Sequence, residues 1–174
     1  MKPRPRHCLP CGARLRAVRE HGFGRWRCRR CGWIFYGNPV PATVAVVVGP
    51  RGLLLCRRAA EPFRGYWDAA GGFLEAGESP EQGLRRELRE ELGARVRRAR
   101  FRGFVLDHYG RDGFPVLGLV YEVRLSGRIS ARSDVSEVRW FPRRAIPWRR
   151  IGFASIRRAL RDYLRGGDQT ITLR

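Results

Sequence analysis

Glu87, Glu90 and Glu91 stand at i, i+3 and i+4, a spacing that brings three carboxylates to one side of a helix within a single turn. Like charges this close are unfavourable unless something positive sits among them, and carboxylate oxygens suit a hard divalent cation, Mg²⁺ or Mn²⁺. Mg²⁺ keeps waters and takes its remaining ligands from substrate phosphates, so such a turn points to phosphate chemistry. The alternative is a solvated acidic face. The setting is GGFLEAGESPEQGLRRELREELGA, residues 71–94, which gathers six carboxylates between Glu75 and Glu91 in a chain whose formal net charge is +20.

A second group is made of thiols. Cys8-x2-Cys11 and Cys28-x2-Cys31 are each followed by glycine, in CLPCG and CRRCG, and the pairs are separated by 16 residues. Four thiolates in this arrangement suit a tetrahedral Zn²⁺, with the glycine allowing a tight turn under the metal. The competing reading, two disulfides, belongs to secreted domains, and no signal peptide precedes these cysteines. Four sulfurs close the coordination sphere, so this zinc is expected to hold structure rather than do chemistry. His7 and His21 are then bystanders, and Cys56, alone in an apolar run, is expected in a buried strand.

Elements must position these groups. Ala42 to Val48 is a nearly unbroken β-branched run, the pattern of a buried strand. Gly49-Pro50-Arg51-Gly52 is turn chemistry, with Leu53-Leu54-Leu55 returning as the second arm of a hairpin. The acidic helix is marked at both ends: a Ser79 cap, Pro80 in the first helical position, Gln82 three residues beyond the cap, and Gly93 at the stop. Leu84, Leu88 and Leu92 form a separate anchoring stripe. Val96 to Tyr109 and Phe114 to Leu125 read as two strands joined across Asp112-Gly113, and Glu137 to Phe141 as another; Ile156, Leu160 and Leu164 line one side of a C-terminal helix. The expectation is an α/β (α+β) protein with a zinc ribbon over residues 1–36, a catalytic domain over 37–166 and a tail over 167–174.

The 36 basic residues against 16 acidic are almost all arginine, Lys2 being the only lysine. Such a surface attracts polyanions and phosphorylated substrates and binds nucleic acid in a salt-dependent way. The arginines are spread along the whole chain, which favours a generally basic surface over one dedicated groove. No apolar run is long enough to span a bilayer, and MKPRPRHCLPC has charge but no apolar stretch behind it, so the expectation is a soluble, cytoplasmic protein with no membrane partner.

Gly72-x5-Glu78-x7-Arg86-Glu87-Leu88-x-Glu90-Glu91-x-Gly93-Ala94 resembles the Nudix box of the Nudix hydrolases, Ala94 standing where the family has a larger aliphatic residue. The resemblance extends through Asn38-Pro39 and the Ala42 to Val48 strand to Glu137-Val138-Arg139-Trp140-Phe141. It implies a Nudix-type α/β/α sandwich with a mixed sheet and metal-dependent hydrolysis of a pyrophosphate bond in a nucleoside diphosphate linked to another moiety. Carried over by position, Glu87 and Glu91 are the principal metal ligands and Glu90 a further ligand or the base. Glu78 and Arg86 brace the loop, and the Gly71 carbonyl completes the metal shell. A ribbon placed directly before the domain resembles the NADH pyrophosphatase branch, by which Glu137 is a further metal-binding residue, Tyr36 meets the nucleotide, and a homodimer is implied. The SQPWPFPxS stretch of that branch is absent, with FVLDHYGRD in its region.

Substrate selection then falls to residues outside the box. Tyr36, Phe63, Tyr66, Trp67, His108, Tyr109 and Phe114 could meet a base, with core packing the alternative for each, and Arg57 and Arg58 could hold phosphates. Three functions compete: a small-molecule nucleotide diphosphatase, an enzyme of the same chemistry acting on RNA 5′ ends, and a nucleotide-sensing module without catalysis.

Overall fold

In the computed structural model, residues 5–110 and 113–166 are described. Asp112 of the expected turn and the 167–174 tail lie outside them. The chain divides into two compact units, Met1–Pro39 with His108–Pro115, and Val40–Asp107 with Val116–Arg174.

In the first unit, β1 (Leu15–Glu20), β2 (Phe23–Cys28) and β3 (Ile34–Phe35) form an antiparallel three-stranded sheet, with Leu15 opposite Cys28 and Trp26 opposite Phe35. Its small core is Cys8, Leu15 and Cys28 with Trp26 and Trp33 packed against them. So little apolar burial is marginal by itself, which is why domains of this size recruit a metal.

The second unit is built around β4 (Val40–Gly49). The neighbouring strands are β5 (Gly52–Arg58), β6 (Trp67–Asp68), β7 (Arg95–Tyr109), β8 (Phe114–Ser126) and β9 (Val135–Phe141), in the order β6-β5-β4-β8-β7 with β9 also paired to β5. β4 runs antiparallel to β5 and parallel to β8, so the sheet is mixed. The unbroken apolar run of β4 follows from having both faces covered. Val44 and Val46 pack with Ile156, Ala159 and Leu160 of helix α2 (Ala154–Leu164), while Ala45 and Val47 pack with Leu84, Leu88 and Leu92 of helix α1 (Pro80–Leu92). This is the α/β/α sandwich.

The leucine stripe of α1 is completely buried, each side chain contributing about 1.5–3 kcal/mol of apolar burial. Ser79 and Gln82 close a reciprocal capping box, and Gly93 ends the helix in the left-handed conformation with its N–H on the Arg89 carbonyl. The leucines therefore fix the roll of α1 about its axis, and with it the direction in which its glutamates project.

Candidate functional site

The two cysteine knuckles are built alike. In each, the first cysteine's carbonyl accepts the N–H of the glycine four residues on, Gly12 to Cys8 at 2.8 Å and Gly32 to Cys28 at 3.0 Å. Both glycines have φ near +70° to +80°, a region that side chains with a Cβ disfavour. All four cysteines are free thiols whose sulfurs lie within 4.8 Å of one another, with Cys8 to Cys31 and Cys11 to Cys28 each at 3.5 Å. That is far beyond a disulfide bond and close to the ~3.8 Å edge of a sulfur tetrahedron around zinc at 2.3 Å. Backbone N–H groups of Cys31 and Arg30 pull the Cys28 thiol down to about 6, while burial pushes Cys8 up to about 12. The donor set fits a structural metal.

The glutamates are positioned by an interlocking of β4, the following loop and α1. Thr43 N–H donates to the Gly72 carbonyl and Ala45 N–H to that of Ala70, both at 2.8 Å, which pins the loop along β4. Gly71 N–H in turn donates to Glu91 Oε2 at 2.8 Å. A Cβ on Gly71 would lie 2.3 Å from the Thr43 carbonyl, and one on Gly72 would lie 2.5 Å from Glu87 Oε1. The double glycine is thus what lets backbone press between strand and carboxylates.

Arg86 is the hub of this arrangement. Its guanidinium donates to Glu78 Oε1 and Oε2 at 2.8 and 3.0 Å, to Glu87 Oε1 at 2.7 Å, to Glu90 Oε2 at 3.2 Å and to the Phe73 carbonyl at 2.9 Å. This differs from a simple convergence of Glu87, Glu90 and Glu91, because the guanidinium already lies among the acids. Among the described residues no carboxylate group closes as tightly as the cysteines do. Glu90 stays exposed, Glu87 is half-buried, and Glu91 is 7% exposed.

Burial raises the Glu87 carboxyl, and pushes Glu91 up to about 9 against the lowering effect of the Gly71 N–H, with Asp134 and Glu87 adding repulsion. Arg86 instead holds Glu78 below the usual carboxylate range. A buried carboxyl that resists ionisation, beside an all-oxygen donor set and a glycine-lined gap, fits a hard cation whose charge would compensate it.

Glu137 on β9 lies directly across from Arg57 on β5 and pairs with it at 3.5 Å, and also with Arg139. Arg57 further donates to the Gly65 carbonyl at 3.0 Å. Tyr36 and Tyr109 fall in the first unit. Tyr36 is exposed with Arg25 stacked on its ring, and Tyr109 packs against Phe114 at 5.6 Å. Core packing accounts for Trp67 but not for Tyr36, Phe63 or Tyr66, which are exposed. Their rings are instead engaged at the surface by Arg25, Phe153 and Arg150.

Sequence reasoning missed a buried ion pair, Arg58 to Asp68 at 3.0 Å. Burial pushes Asp68 up to about 6 despite the opposing pull of Arg58. The signal was an acid set in the otherwise apolar YWDAA.

The NUDIX domain family model matches residues 38–163. The chain is 31% identical over 148 residues to "NAD-capped RNA hydrolase NudC" of Pseudomonas aeruginosa, covering 82% of this chain and 49% of that protein. It is 26% identical over 131 residues to "ADP-ribose pyrophosphatase" of Methanocaldococcus jannaschii, covering 75% and 76%. The chain thus spans about half the length of the NudC relative. A NUDIX hydrolase crystal structure from Nitrosomonas europaea is similar over 92% of this chain and 91% of that one, with TM-score 0.74 and 28% identity.

Proposed function

The chain belongs to the NUDIX family, and on that premise we propose that it hydrolyses the pyrophosphate bond of a nucleoside diphosphate linked to another moiety, an NADH-, ADP-ribose- or dinucleotide-like substrate. The observation that carries this reading is the cradle in which Gly71 holds the buried Glu91 while Gly72 lies against Glu87. Residues 37–166 form the catalytic domain and 1–36 a ribbon whose Cys8, Cys11, Cys28 and Cys31 hold Zn²⁺.

Glu87, Glu90 and Glu91, with the Gly71 carbonyl and Glu137, would hold Mg²⁺ or Mn²⁺. When bound, such a cation neutralises pyrophosphate charge and acidifies the attacking water. Water adds to one phosphorus as the bond from that phosphorus to the bridging oxygen breaks, leaving two phosphate monoesters. Glu90, exposed and oriented by Arg86, accepts the water's proton, and the Glu78–Arg86 pair keeps the loop in register with α1. Arg57, which pairs with Glu137 across the sheet, contributes to substrate binding.

A panel of NADH, ADP-ribose, FAD, diadenosine polyphosphates and capped RNA, with Mg²⁺ or Mn²⁺ and products resolved by mass, tests this. Metal-dependent cleavage of a P–O–P bond in at least one is expected, giving two monophosphates from NADH, ADP-ribose or FAD; no such cleavage in any would overturn it.

A second reading keeps the chemistry and places an RNA 5′ end in the site. The charge of +20 and the name of the P. aeruginosa relative favour it. Competition between capped RNA and free dinucleotide distinguishes the two, since RNA should dominate at low salt if the chain is built for it.

A further inference from the structure

We propose that a groove at the hairpin end of the sheet binds the single-stranded nucleic acid that continues from a 5′-linked pyrophosphate; this rests on the second reading above. The groove encloses about 970 Å³ and is lined by Arg51, Leu54, Ile129, Val138, Trp140 and Arg143, among others. It lies within the second unit and shares no residue with the Gly71 cradle.

Its composition selects the ligand. Leu54, Ile129 and Val138 give an apolar floor, and Trp140 supplies a flat aromatic surface. Among the described residues no acid lines the groove, and apart from the indole N–H every polar side chain in it is an arginine. The side chains of such a lining offer only donors and cations to a ligand. That set of side chains suits phosphates and the faces of bases, the recognition mode of sequence-tolerant single-strand binding. Arg51 and Arg143 are exposed, and the Arg51 guanidinium lies 5.5 Å from the centre of the Trp140 ring.

Trp140 is set in place by backbone. A Cβ on Gly49 would come within 2.6 Å of the indole Cη2, so the ring rests where glycine leaves room. Alternation along β9 sends Val138 and Trp140 toward the α1 side, where both join its cluster. Glu137 and Arg139 point the other way, the latter over Trp67 and Phe141.

Position completes the argument. Thr43, which pins the cradle, is six residues from Gly49, about 20 Å along β4. A chain leaving the reacting phosphates reaches the groove after a few nucleotides.

The test uses the full chain and a 5′-phosphorylated ten-nucleotide oligouridine, with binding followed by fluorescence anisotropy across a salt series. Hydrolysis of free ADP-ribose or another turned-over dinucleotide is measured in parallel. The double variant Arg51→Ala, Arg143→Ala should make the slope of log affinity against log salt about 1.4 shallower, from two lost phosphate contacts. It should leave small-substrate turnover unchanged. Gly49→Ala, which displaces the indole while keeping every charge, should weaken binding with the slope intact. The proposal is overturned if the wild type does not bind the oligonucleotide, if the double variant keeps wild-type affinity and slope, or if AMP displaces the oligonucleotide at equal concentration. Absence of any hydrolysis alongside normal groove binding would instead strike at the enzymatic reading.

Discussion

The ribbon's four cysteines, drawn from positions up to 23 residues apart, bring their sulfurs within 4.8 Å of one another. The glutamates of α1, neighbours on a single turn, send their carboxylates to two different partners, Arg86 and the Gly71 N–H. The difference is electrostatic. With Cys8 held protonated by burial and Cys28 stabilised as thiolate by backbone N–H groups, the sulfurs repel little and hydrogen-bonded knuckles can hold them in contact, whereas carboxylates repel unless each finds a donor. The cysteine set is closed by its backbone. The carboxylate set is kept open by an internal arginine, which suits a site that must admit a substrate as well as a cation.

The most damaging test of this contrast is removal of the Zn²⁺ proposed for the ribbon. Structural zinc supplies about 10–16 kcal/mol to small metal-dependent folds, so chelation should abolish amide-exchange protection across β1, β2 and β3. Turnover by the second unit should persist. Unchanged protection after verified zinc loss would mean that the knuckles stand unaided.

Next in size is Glu91→Gln, which keeps the shape of the side chain and its contact with Gly71 but removes the charge a cation needs. Turnover should fall by at least about 10²-fold, since loss of even an outer-shell partner of a metal ligand costs about 10–100-fold, with the thermal midpoint preserved. Wild-type turnover in this variant and in Glu90→Gln would move the chemistry elsewhere.

A smaller effect concerns the acid whose counter-charge is built in. Asp68 has its folded-state pKa raised from 3.8 to about 6, so between those values the folded protein retains a proton that the unfolded chain has released. Its contribution to stability is therefore present at low pH and declines as pH rises through that window. Asp68→Asn should flatten this part of the midpoint-versus-pH curve. A curve identical to wild type there would show that Arg58 neutralises Asp68 fully.

The smallest is Ser79→Ala. Loss of the capping box should cost about 1 kcal/mol, read as a shift in denaturant midpoint with kcat unchanged, because the leucine stripe still orients α1.

What was legible in the sequence was local. Ser79, Pro80, Gln82 and Gly93 marked α1 because caps act over three or four residues, and the two CxxCG repeats marked the knuckles for the same reason. The apolar run of β4 announced a doubly covered strand. Three short strands, β1, β2 and β3, were not read, since their partly exposed residues lack a core-facing pattern. Nor was the role of Arg86 as hub to three glutamates: the count of acids suggested a shared cation, while the side-chain geometry that interposes a guanidinium is settled only when the loop docks on β4. The opposition of Arg57 and Glu137 depends on β5 meeting β9, 80 residues away.

The parallel pairing of β4 with β8 also has a consequence for biosynthesis. Every partner in that ladder, from Val40 with Val116 to Val47 with Val123, is 76 residues distant. A ribosome must therefore deliver α1 and its buried leucines well before the central strand has its second neighbour, and closing so long a loop is slow. Until then the most apolar strand of the chain has an open edge, so the interval before β8 emerges is when this protein is most exposed to aggregation.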